Sequence, residues 1–335
     1  MNSTLTDNPQ WEQLYQAALR EGGALSLYGG GPVTLYTGAA AAFEKAFPGI
    51  TVDITATFSN ILAPKIDAQI AAENLEVDLA IFQTVQDFYH WKQRSVLTAY
   101  QPDGSEHIPA AFKDTEGTYH GLIVHALAYT RNTDTVPDDL MPTVATDFLD
   151  PLFRGRAITT YPHDDDITLY LYATLAERYG WDFVADYVHS GAQFIRGHLG
   201  VADRIAAGDA DVSMDSIVAL TMADIAAGRP TAVHVPQDVM PVWPQTAAIF
   251  NNCPHPSTAK LYMSWFLAAE QQATLGTWSP RADLPAPTGL RPLAEYPLAD
   301  QFLAFMLDDD RVQQARGACA DLIGPVVGEP NVGTS

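Results

Sequence analysis

The chain has only two cysteines, Cys253 and Cys319, too few for a disulfide framework or a cysteine-built metal centre; the sequence leaves open whether they pair with each other. No apolar run approaches the ~20 residues that cross a bilayer. Residues Met1 to Gln10 carry neither the basic region nor the apolar segment of a secretory leader. Two expectations follow: a periplasmic or extracellular protein whose leader is absent from this chain, or a cytoplasmic one. Basic residues are scarce, 18 Lys and Arg against 40 Asp and Glu, for a formal net charge of −22. Such a surface repels phosphodiester backbones and anionic membranes, so no nucleic-acid partner is expected. The Gly-x-Ser-x-Gly pattern of a nucleophile elbow is missing, and so is any fixed-period repeat. What is present suffices for a packed core: 335 residues, 47% hydrophobic and 10% aromatic. That length corresponds to about two domains.

The first third alternates strand and helix. Trp11 to Glu21 has amphipathic spacing and ends at Gly22-Gly23, a helix-stop signal. Ala24 to Tyr28 alternates like a strand and runs into Gly29, Gly30, Gly31 and Pro32. An Ala-rich helical stretch, Val33 to Phe47, stops at Pro48-Gly49. Ile50 to Thr55 is a β-branched strand, followed by Thr57-Phe-Ser59-Asn60 and a helix through Ala71. Val77 to Phe82 is a third strand, leading through Gln83 and Thr84 to a helix ending at Arg94. This order implies right-handed crossovers and a mostly parallel sheet, with Gly29–Gly31, Ser59-Asn60 and Gln83-Thr84 on one edge. Small and polar strand ends on a common edge suit a small-molecule site.

Gly121 to Tyr129 is an apolar strand long enough to pass between two lobes, and Thr231 to Val235 and Gln245 to Phe250 read as the return. Between them lies a second α/β unit. Its most chemically loaded stretch is Thr160 to Tyr172, where Tyr161, His163, Asp164, Asp165 and Asp166 separate an expected strand from an expected helix. Asp215 and Ser216 close another strand of this unit. Two readings of the aspartates stand together: one jaw of a ligand cleft, or helix caps and first-turn residues that complement the dipole. Helices are expected around Ala259–Leu275 and Gln301–Cys319.

Several words resemble a known family. Asn252-Cys-Pro-His255-Pro-Ser-Thr-Ala-Lys260 and the helix after it, through Gln272, resemble a signature of bacterial extracellular solute-binding proteins, the type II periplasmic receptors of ABC importers, in the branch that includes ferric-iron binders. Ala42 to Gly49, Val77-Asp78, Tyr129 to Asp134 and Phe148 to Arg156 keep that family's order. The resemblance implies an α/β fold of two lobes, each a mixed, mostly parallel sheet flanked by helices, joined by two crossing strands. Its expected division is 1–124 with 240–335 as the first lobe and 125–239 as the second, the C-terminal helices being free to pack on either. A solute is then trapped between the lobes by hinge closure and handed to an ABC permease in the membrane. A monomer without a cofactor and without enzymatic activity is expected. The His255-Pro256 stretch reads as structural, with Ser257 as a helix cap.

The ferric members of that branch carry two adjacent tyrosines, and this chain has no Tyr-Tyr pair; Tyr170 and Tyr172 fall on different helix faces. The site residues expected to bind the ligand are Tyr28, Gly29, Gly30, Gly31, Ser59, Asn60, Gln83 and Thr84 from the first lobe. The second supplies Tyr161, His163, Asp164, Asp165, Asp166, Asp215 and Ser216, and Trp243 stands near the second crossing. Free carboxylates in the second jaw tilt the balance toward a cationic, metal or hydroxyl-rich solute over an anion. The rival classes are a cytosolic enzyme and a ligand-sensing module on the same fold. His125, His163 and His198 are the candidates for acid–base chemistry, although lone histidines are more often hydrogen-bonded structural residues.

Overall fold

The computed structural model describes residues 8–329. The first seven residues, part of the stretch in which a leader was sought, lie outside them. The chain begins with α1 (Pro9–Arg20), capped by the Asn8 side chain, which accepts from the Gln10 and Trp11 amides. It continues through β1 (Ala24–Gly30), α2 (Thr34–Ala46), β2 (Thr51–Thr57), α3 (Ser59–Ala71), β3 (Leu79–Phe82) and α4 (Val85–Gln93). The long strand β4 (His120–Asn132) leads to β5 (Ile158–Thr160), α5 (Asp166–Tyr179), α6 (Trp181–His189) and β6 (Gln193–Ile195). Then come α7 (Leu199–Ala207), β7 (Val212–Ile217), α8 (Val218–Ala226), β8 (Thr231–His234) and β9 (Met240–Ile249). The chain closes with α9 (Pro256–Phe266), α10 (Ala269–Gln272), β10 (Leu298–Ala299), α11 (Phe302–Met306) and α12 (Asp309–Ile323).

The main sheet runs β2-β1-β3-β9-β4-β7, with β8 beside β4 and β10 beside β9; β5 and β6 form a separate parallel pair. β1 pairs parallel with both β2 and β3, as the crossovers predict, whereas β9 returns antiparallel to β3 and to β4. In an open sheet this arrangement sets the carboxyl ends of β1, β2 and β3, and the helix starts that follow them, on one edge. β4 and β9 are the two crossing strands. Leu122, Val124 and Ala126 of β4 belong to the core of the first lobe, while Leu127 and Tyr129 belong to the second.

The first core gathers Leu25, Leu27, Phe43, Phe88, Trp91 and Tyr262; Phe43 lies 5.0 Å from Tyr262 in an edge contact. The second gathers Tyr129, Phe148, Tyr172 and Tyr187, together with Phe305 and Cys319 from α11 and α12. Cys253 and Cys319 are both free, one in each core. His255 is structural here: its amide and ring Nδ1 lie 2.7 and 2.9 Å from the fully buried carboxylate of Asp78, which also accepts from the Ser26 amide at 2.7 Å. Ser257 is not the cap. Its hydroxyl and amide donate to Glu21, at 2.6 and 2.9 Å, tying α9 to the end of α1.

Candidate functional site

The first-lobe strand ends converge on one carbonyl. Gly30 O accepts from Gln83 Nε2 at 3.1 Å and from the Tyr36 hydroxyl at 2.7 Å. Ser59 Oγ donates to Gln83 Oε1 at 3.2 Å, so three of the expected residues, Gly30, Ser59 and Gln83, form one contact set. A Cβ at Gly30 would overlap both Ser59 Oγ and Gln83 Oε1, and one at Gly29 would run into the Tyr36 ring. That is the physical reason for glycine here. Gly31 adopts φ 100°, a left-handed conformation that turns the chain into α2. Asn60 is exposed in the first turn of α3. The Thr84 hydroxyl is engaged by Asp87 at 2.5 Å. No side chain among the described residues caps α2, α3 or α4. Tyr28 points elsewhere: it is buried against α3, its hydroxyl accepting from Gln69 at 3.0 Å with Lys65 above the ring.

The second-lobe aspartates are engaged within the protein. Asp164 forms a two-pronged pair with Arg196, at 2.7 and 3.1 Å. Asp165 is the N-cap of α5, accepting from the Thr168 amide at 3.0 Å, and also lies 3.2 Å from His198 Nε2. Asp166 pairs with Arg316 at 3.0 Å. Asp215, expected at the ligand, is fully buried and accepts from Thr159, Thr160 and Ser213, the Thr160 amide at 2.8 Å. Three of these donors crowd Oδ2, Ser213 takes Oδ1, and the complete burial of the carboxylate keeps it from solvent. The carboxylates of the aspartate turn are therefore held by Arg196, His198 and Arg316 and do not stand free. Sequence reading missed the partners because Arg196, His198 and Arg316 lie far along the chain.

Burial alone would lower the His198 pKa, but the Asp165 carboxylate, assisted by Asp215, outweighs it and pushes it up to about 9. Asp165 moves the opposite way: burial is overcome by the His198 charge and the Thr168 bonds, and its pKa falls. For Asp166, burial and the neighbouring Asp165 raise the pKa against the pull of Arg316. Tyr161 is buried, with its ring 5.6 Å from His163 and 5.5 Å from Phe194. Burial lowers the His163 pKa, with the Gly324 backbone pulling the other way. Ser216 Oγ is buried without a partner among the described residues. Tyr170 and Tyr172 are core residues, packed against Phe302 and Phe305 and against Tyr187 respectively, and burial pushes both phenols up.

The two jaws meet. Gln86, in the first turn of α4, donates to Asp166, in the first turn of α5, at 3.3 Å, and Val85 packs into the second core. Between the jaws run the crossing strands, where Trp243 and His125 stand opposite each other with ring centroids 5.3 Å apart. His125 Nε2 lies 3.0 Å from Gln245 Oε1, and Gln245 Nε2 donates to the Tyr36 hydroxyl at 2.6 Å. Burial lowers the His125 pKa to about 4, with His198 contributing, so its ring is neutral. Two hollows lie away from this junction. One is bounded by α5, α12 and the segment around β10, and the other follows residues 139–153. Neither contains any of the expected site residues. Among the described residues, no group of three or more His, Cys, Asp or Glu side chains is arranged to hold a metal ion.

The model of the bacterial extracellular solute-binding protein family matches residues 38–304. No curated protein matches the chain. Among solved structures, iron-bound HitA from Pseudomonas aeruginosa superposes with a TM-score of 0.71 at 17% identity, covering 89% of this chain and 99% of its own. The substrate-binding protein of an ABC transporter from Agrobacterium tumefaciens gives 0.74 at 15% identity, over 90% and 94%. The periplasmic binding protein AfuA from Actinobacillus pleuropneumoniae, with fructose-6-phosphate bound, gives 0.73 at 18% identity, over 90% and 98%. At such identities these likenesses establish the two-lobed type II binding-protein fold. The family consists of binding proteins that take up small solutes for ABC importers and work with their permeases. With most of its length matched by that family's model, the chain belongs to the bacterial extracellular solute-binding proteins.

Proposed function

We propose that this receptor traps a small hydroxyl-bearing organic anion, of the size and character of a sugar phosphate, between its two lobes. The observation that carries the reading is the contrast at the strand ends. α2, α3 and α4 begin without side-chain caps, whereas the aspartates of the facing jaw are neutralised by Arg196, His198 and Arg316. Uncapped first-turn amides attract anions, and engaged carboxylates no longer repel them. The engaged carboxylates disfavour a cation or a metal and leave a hydroxyl-bearing solute in place. AfuA, crystallised with fructose-6-phosphate, supplies a probe.

The expected ligand contacts are Gly29–Gly31, Ser59, Asn60, Gln83 and Thr84 on one side, and Tyr161, His163, Ser216 and Trp243 on the other. Tyr28, Asp164, Asp165, Asp166 and Asp215 serve the framework. The proposed lobes are 1–124 with the segment from 240, and 125–239, with α11 and α12 seated on the second. The protein is proposed to act outside the cytoplasm as a monomer, with no nucleic-acid partner and no turnover of its solute. Calorimetric titration with fructose-6-phosphate, inorganic phosphate, ferric citrate and spermidine tests this. Fructose-6-phosphate is expected to bind most tightly, inorganic phosphate weakly and spermidine not at all. Tight binding of iron or spermidine, with none of either phosphate, contradicts it.

A further inference from the structure

The hydrogen-bond chain beneath the cleft fixes the tautomer of one histidine. Burial pushes the Tyr36 phenol well up, so it keeps its single proton. That proton points to a backbone carbonyl, Gly30 O at 2.7 Å with Ile81 O at 3.3 Å. Two oxygens 2.7 Å apart with no proton between them would repel. The Tyr36 oxygen must therefore accept from Gln245, whose NH2 faces it at 2.6 Å. The amide is thereby oriented by its network, and its oxygen faces His125 Nε2 at 3.0 Å. An oxygen can only accept, so Nε2 carries the ring proton. In a neutral ring Nδ1 is then a bare acceptor. It is buried, and no donor reaches it among the described residues.

His125 Nδ1 is one of several buried polar atoms without a partner among the described residues, and an empty buried acceptor is costly. This one lies at the junction of the lobes, on a crossing strand beside the Trp243 ring. The geometry points to His125 as a specificity-determining residue, whose Nδ1 accepts a hydrogen bond from a hydroxyl of the bound solute. A deprotonated phosphate or carboxylate oxygen cannot supply that proton. An ammonium can, but the protonated His198 ring nearby opposes a second positive charge. The anionic group is left to the helix starts.

This inference rests on the proposed solute class, and its test separates the two. Nitrogen-15 NMR of the ligand-free protein is expected to show His125 as the neutral Nε2–H tautomer at pH 7; an Nδ1–H tautomer or a charged ring overturns the inference without touching the solute class. Calorimetry then compares wild type, His125→Asn and His125→Gln with fructose-6-phosphate and inorganic phosphate. Asn retains a polar atom near the Nδ1 position, whereas Gln retains only the one facing Gln245. Loss of the hydroxyl contact in His125→Gln is expected to weaken fructose-6-phosphate roughly 5- to 10-fold. Binding of inorganic phosphate should stay unchanged, and His125→Asn should remain nearer wild type for the sugar phosphate. The reverse order of the two variants, or equal affinities in all three proteins, overturns the role of His125 alone. Failure of wild type to bind either phosphate overturns the solute class and this inference together.

Discussion

Replacing Asp165 by asparagine separates its two tasks. Asparagine is as good an N-cap as aspartate, so the bond to the Thr168 amide survives while the charge facing His198 is lost. In the native protein His198 titrates at about 9, against ~6.5 in an unfolded chain. Its protonated form therefore stabilises the fold fully below pH ~6.5, and that contribution fades as pH rises through 9. At pH 7 the difference amounts to about 2.5 kcal/mol as a ceiling. Asp165 keeps 27% of its side-chain surface exposed, so water screens the pair and about 1–2 kcal/mol is expected. For a chain of this length that corresponds to a melting temperature roughly 2–3 °C lower. Urea unfolding of both proteins from pH 6 to pH 10 is the assay. The gap should be widest near pH 6 and close by pH 10, with affinity for fructose-6-phosphate changed less than about twofold. A gap independent of pH, or no gap at pH 7, refutes the charged pair. A large loss of affinity without loss of stability returns Asp165 to the ligand site.

Other substitutions probe the surrounding framework. Burial, opposed by the Thr84 hydroxyl bond and joined by the charges of Asp67 and Asp166, pushes Asp87 up to about 6. Its ionisation thus weakens the fold as pH rises from about 4 to 6, and Asp87→Asn should add about 1–2 kcal/mol at pH 7.5 but nothing near pH 4, read from denaturation midpoints. Equal effects at both pH values exclude this origin. Gly30→Ala pushes a methyl group into Ser59 and Gln83; about a tenfold loss of fructose-6-phosphate affinity, with stability changed by under ~1 kcal/mol, is expected by calorimetry and melting. Asp78→Ala strands the Ser26 and His255 amides and the His255 ring and should cost about 3–5 kcal/mol; a cost under about 1 kcal/mol contradicts the buried anchor.

Much of the framework is legible in the sequence because its signals are local. β-branched alternation marks β2, glycine and proline mark its neighbours, and the apolar run from Gly121 marks the crossing strand. The start of α5 is less legible: the strand ends at Thr160, but the helix waits until Asp165 can cap it. α6 carries no start signal beyond Gly180 and goes unmarked. The charge state of the aspartate turn is not a local property. Arg196 lies 32 residues from Asp164, and Arg316 lies 150 from Asp166. His125 shows the same limit. By itself it reads as a lone histidine on an apolar strand, and only Tyr36 and Gln245, brought beside it by the fold, fix which nitrogen is bare. The placement of Tyr28 is likewise set by the fold, since its side chain turns under α3 while the neighbouring glycines reach the strand ends.

Native mass spectrometry of the protein, incubated with equimolar fructose-6-phosphate, ferric citrate and spermidine, addresses the central claim most directly. Specific capture of a hydroxyl-bearing anion predicts a one-to-one adduct carrying the mass of the sugar phosphate, displaced by an excess of unlabelled competitor when that sugar phosphate is isotopically labelled. A dominant iron or spermidine adduct, with no sugar phosphate retained, contradicts it.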